Sequence, residues 1–135
     1  MDNVLAYLTH DEKMAVMQVG YQLIESAAHH ALGRRICEDD DPSVDIIIKS
    51  VTVPSTATGN SFLDNFMTNN IYNEMWNEAI WMNPYEAFDI VRRFDKEEKA
   101  AFKKMMLEVA MKDNVAMRMN ILQDTFRRVG IDEYV

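Results

Sequence analysis

The 135-residue chain carries 22 Asp and Glu against 14 Lys and Arg, a formal charge of −8, and 48% of it is apolar. That suffices for one domain spanning 1–135 with a sizeable core, and the negative charge speaks against nucleic acid or an anionic membrane surface, which both need clustered cations. No apolar run approaches the roughly 20 residues of a membrane-spanning helix, Met1 to Leu8 lacks a basic region ahead of an apolar one, and the single Cys37 leaves no internal disulfide, so the expectation is a cytoplasmic protein.

In chain order, Thr9 and Glu12 spell a capping box, and Met14, Met17, Tyr21, Ile24, Ala28 and Ala31 recur at helical steps until Gly33 offers a stop. This predicts one long helix with Gln18, Gln22, Glu25 and His29 on its polar face. Residues 42–60 are irregular or a short helix plus loop. PSVDIIIKSVTV, from Pro42 to Val53, is rich in β-branched residues, yet no second strand is found in the chain for it to pair with, so a short helix is expected; were it a strand, the first partner to expect would be the same segment of another subunit. Asp41 would cap that helix, and VPSTATGN, Val53 to Asn60, reads as a loop.

Ser61 and Asp64 open the next helix, in which Met67, Ile71, Met75, Ala79 and Met82 form a core stripe. Its other side is unusual. Asn65, Asn69, Asn73 and Asn77 share it with Phe62, Phe66, Trp76 and Ile80, although each asparagine costs up to ~0.7 kcal/mol of helix propensity relative to alanine. Three arrangements compete: a central helix whose amides form a satisfied inner network, a recognition patch for a protein, a second copy or a small ligand, and plain solvent exposure. Exposure alone leaves Phe62, Phe66 and Trp76 unexplained. The expected interaction residues are Phe62, Phe66, Asn69, Asn73, Trp76 and Asn77, flanked by the loop from Val53 to Asn60.

Asn83, Pro84 and Glu86 start a helix running through Phe94, and Asp95 with Glu98 opens another through Phe102, Met106 and Val109 to about Lys112, with a sharp corner between them. A last helix from about Asn114 carries Val115, Met119, Leu122, Phe126 and Val129 and closes at Gly130. The charge is uneven along this series. Residues 1–45 hold nine acids against three bases, 46–90 five against one, and 91–135 eight against ten, so an acidic front joins a mildly basic tail.

Chemical motifs are scarce. Glu25 and His29 lie one turn apart, but Glu-x-x-His of a di-metal bundle is absent, and a solvated pair is the simpler reading. Asp39, Asp41, Ser43 and Asp45 alternate as in a calcium loop, yet Val44 replaces its glycine and Ser50 its bidentate glutamate. The four glycines form no phosphate loop, and the doublets Arg34–Arg35, Arg92–Arg93, Lys103–Lys104 and Arg127–Arg128 read as ordinary helix charges. The sequence therefore predicts no catalytic residue, metal ligand or cofactor.

From Phe94 on, FDKEEKAAFKKMMLEVAMKDNVAMRMNILQDTFRRVGI resembles the second half of a tellurite-resistance TerB-like helical domain, through its helix spacing around Asp113. The resemblance covers about the last third of the chain. It implies a compact all-α domain with metal-ion or stress-response links; Asn114 stands for the family's glycine and Arg118 to Asn120 for its expected glutamate, so the fold is carried over and the ion site is not. The expectation is an all-α bundle of five or six helices, acting as an interaction or regulatory module on a protein partner or a second copy, with no nucleic acid or membrane. The rivals are a metal- or ligand-binding enzyme centred on Glu25 and His29, and an acidic inhibitor or immunity-type decoy.

Overall fold

The computed structural model describes residues 4–32, 42–53 and 73–131, with side chains left out at 27–32. These residues form a 3-10 turn (Val4–Tyr7) and six α-helices: α1 (His10–Leu32), α2 (Pro42–Val51), α3 (residues 73–79), α4 (Pro84–Arg92), α5 (Lys96–Lys112) and α6 (Val115–Arg128). No strand occurs among them, so the chain is an all-α bundle. Phe62, Phe66, Asn69, the start of the asparagine-rich helix, Asp41, the acidic run before it and most of the Val53–Asn60 loop lie outside the described residues.

Helix beginnings follow the local signals. At α1 the Thr9 amide donates to Glu12 Oε1 at 2.9 Å and the Glu12 amide to Thr9 Oγ1 at 3.2 Å, a reciprocal capping box. Asn83 Oδ1 accepts from the amides of Tyr85 and Glu86 ahead of α4, with Pro84 in the first turn. Asp95 and Glu98 repeat the box at 2.8 and 2.9 Å. The α4 helix ends at Arg92, short of Phe94, whose ring turns into the core and meets Phe102 edge to face at 6.5 Å. Pro42–Val51 is helical as expected: Val44, Ile47, Ile48 and Val51 fall on one face and are buried, so packing overrides β-branched propensity.

The centre of the bundle is α1, which packs on α2, α4, α5 and α6. It is buried on nearly every side from Ala15 to Gly20. Gln18, expected on a polar face, is therefore inside: its Nε2 donates to the Ala79 carbonyl at the end of α3, while its Oε1 accepts from Gln22 at 3.2 Å. The reason is geometric, since the last carbonyls of a helix need donors and α3 ends against α1. Gly20 lets α2 approach closely. A Cβ there would stand 2.5 Å from Ile47 Cδ1.

At the α5–α6 corner Asn114 takes a left-handed conformation (φ 50°), which asparagine tolerates better than most residues. Arg118, buried on α6, donates from Nη1 to Ser43 Oγ on α2 and to the Val109 carbonyl in the last turn of α5, both at 2.8 Å. Val115, expected in the α6 stripe, is exposed, because the corner swings the first turn off the core; Leu122, Phe126 and Val129 are buried as expected. Gly130 (φ 74°) closes the helix: Ile131 donates to Phe126 O at 2.8 Å and Gly130 to Arg127 O at 3.3 Å, the bonding pattern of a Schellman cap.

Candidate interaction site

The expected aromatic and asparagine face divides. Trp76 is 1% exposed and meets Tyr21 of α1 edge to face, with ring centroids 6.1 Å apart. It belongs to the core, which removes it from the expected contact surface: α3 turns both Ala79 and Trp76, one helical turn apart, onto α1. Asn73 and Ile80 are half-buried and Asn77 is exposed. Among the described residues of this segment the aromatic that faces solvent is Trp81, 85% exposed, in the turn between α3 and α4.

Tyr85, 72% exposed, follows Trp81 by four residues, across the Asn83 cap. The two rings stand in acidic surroundings. Glu74, Glu78, Glu86 and Asp89 are all exposed, and no lysine or arginine occurs from residue 73 to 91. His10 Nε2 lies 3.7 Å from Glu78 Oε1, which places the start of α1 beside this corner.

The second feature lies on α5. Its inner side buries Phe102, Met105, Met106, Val109 and Ala110. Its outer side is also apolar in part, because Leu107 and Met111 follow each other by one turn and continue into Phe94 and Ile131, forming the floor of an open groove of about 930 Å³ between α5 and the end of α6. Lys96, Lys99, Lys103 and Lys104 rim it against a lone acid, Glu108. Lys99 and Lys103 are half-buried, and Lys99 Nζ lies 3.4 Å from where a Cβ on Gly130 would stand, at the end of α6. Met111 remains 64% exposed. From Lys96 to Met111 the groove follows α5 for about 22 Å, at 1.5 Å per residue.

Sequence reasoning missed this groove because it read Lys103–Lys104 as ordinary helix charges. The available signal was the set Lys96, Lys99, Lys103, Leu107 and Met111, at steps of three and four, on a face the core stripe Phe102, Met106 and Val109 does not use. Near the rival site, Glu25 is half-buried and the His29 side chain lies outside the described residues. Among the described residues no three His, Cys, Asp or Glu side chains are placed to hold a metal, and no helix is long and apolar enough to cross a membrane. Comparison with protein-family models, with curated proteins and with solved structures finds no match for the chain.

Proposed function

We propose that the chain is a small helical interaction module, not an enzyme, and that its binding face is the outer side of α5, which takes an acidic and apolar surface of a protein partner. One observation carries this reading: four lysines rim a continuous apolar floor on a helix that already buries its opposite side. Apolar contact in such a groove supplies affinity, while the rim selects charge sign and orientation and steers encounter. The asparagine row does not serve as the contact face in this reading, since its tryptophan packs inside.

The test uses a fluorescein-labelled synthetic peptide with leucines on one helical face and glutamates flanking them. Anisotropy titration is expected to show binding that weakens at least about tenfold when salt rises from about 0.05 to about 0.5 M. Lys103→Glu with Lys104→Glu should produce a loss of similar size. A scrambled peptide of equal composition should bind at least tenfold more weakly; equal binding of the scrambled peptide, or indifference to the lysine reversals, overturns the reading.

A further inference from the structure

We infer that the surface that fits the α5 groove is carried by the chain itself: the Trp81–Tyr85 corner of one copy enters the lysine-rimmed groove of another. This rests on the groove being a binding face, and it names the partner. The two surfaces are opposite in charge and matched in character. The corner carries the exposed acids Glu74, Glu78 and Glu86, Asp89 being paired with Arg92 at 2.9 Å, whereas four lysines and one acid, Glu108, line the groove.

The corner supplies what the groove lacks. Trp81 and Tyr85 are two of the three exposed aromatic side chains among the described residues, and they sit four residues apart flanked by Glu78 and Glu86. Trp81 does not fill its own chain's groove, being 85% exposed. Rings of this size each bury 150–250 Å² at an interface, and the groove floor of Leu107, Met111 and Ile131 presents apolar side chains to receive them. Two rings and a few ion pairs fall below the roughly 800 Å² per partner of a stable complex, so the association is weak and needs high concentration. The contact joins unlike patches, so it either closes reciprocally about a two-fold axis or propagates.

Sedimentation equilibrium of the full chain tests this. At low salt and about 0.1–1 mM, the weight-average mass is expected to rise above 15.7 kDa, and to return to it when salt is raised. Trp81 emission should shift to the blue over the same concentration range. Trp81→Ala with Tyr85→Ala, and separately Lys103→Glu with Lys104→Glu, should each abolish the rise. Both variants should keep the parental circular dichroism and melting temperature, and mixing them should restore association, because each retains the half that the other has lost. A monomer at the highest concentration, association that survives loss of both rings, or a mixture that stays monomeric overturns the inference. If the acidic peptide still binds while the chain stays monomeric, the groove remains a binding face and self-association alone fails; if neither occurs, both fail.

Discussion

Replacing Gly20 by alanine should destabilise the protein, against the expectation from helix propensity. In the middle of α1 the substitution gains about 0.8–1 kcal/mol of propensity. The new methyl would stand 2.5 Å from Ile47 Cδ1, 3.1 Å from Cγ1 and 3.5 Å from Cγ2. Carbon atoms pack best at about 3.5–4.0 Å, so the intrusion is about 1–1.5 Å, and Ile47 is fully buried with little room to turn. Overpacking of this kind costs about 1–3 kcal/mol, leaving a net loss between near zero and about 2 kcal/mol. Ile47→Val alone should cost about 0.5–1.5 kcal/mol through the lost methyl and the space left behind. Together the two changes should restore near-native stability, since the alanine methyl occupies the space vacated by Cδ1, and the coupling should reach about 1 kcal/mol or more. Urea denaturation followed by circular dichroism, with m held common to all four proteins, measures each corner of the cycle. A single Gly20→Ala variant clearly more stable than the parent, or strictly additive changes, would refute the close approach of α2 to α1.

Two further substitutions probe the core and a corner. Trp76→Ala should lose about 3–5 kcal/mol, a large share of the stability of a domain this size, while Trp76→Phe keeps an edge-to-face partner for Tyr21 and should cost far less; if Trp76→Ala unfolds at the parental urea concentration, the residue is on the surface after all. Asn114→Gly should raise stability by about 0.5–1 kcal/mol, because glycine adopts φ 50° without a Cβ penalty, and Asn114→Val should lower it. Thermal unfolding by circular dichroism reads both, and a glycine variant that melts lower would contradict the left-handed corner.

The elements were legible where their cause is local. Capping boxes at Thr9 and Asp95 and the Asn83–Pro84 start each use partners three residues away or fewer, so the sequence displays them directly. Which helix is central was not legible. Periodicity gave α1 a polar face and gave the asparagine-rich segment a claim to the middle, whereas the bundle surrounds α1 and buries Gln18. Periodicity reports how many faces of a helix are apolar, but not which neighbour covers each, so α5 could carry an uncovered second face unnoticed and Trp76 could be taken for a contact residue.

Helix ends explain why the rest was hidden. Among the described residues, three helices have a carbonyl of their last turn satisfied by a long side chain from another helix: Gln18 reaches Ala79 O across 61 positions, Arg92 reaches Arg128 O across 36, and Arg118 reaches Val109 O across 9. Such carbonyls need donors as much as the first amides need acceptors, yet a donor that arrives only when the bundle closes leaves no spacing in the sequence. The same fact accounts for the placing of charge. Arg92 and Arg118 are drawn to helix C-termini, where the backbone dipole favours cations, so these two basic residues of the last third serve the fold. Lys99 likewise brings its Nζ to Gly130 at the end of α6, and with Lys96, Lys103 and Lys104 it lines one apolar groove. In the proposed binding mode, a partner of opposite sign acts on the grouping of Lys96, Lys99, Lys103 and Lys104 around one apolar floor, a grouping of like charge that a charged partner can offset.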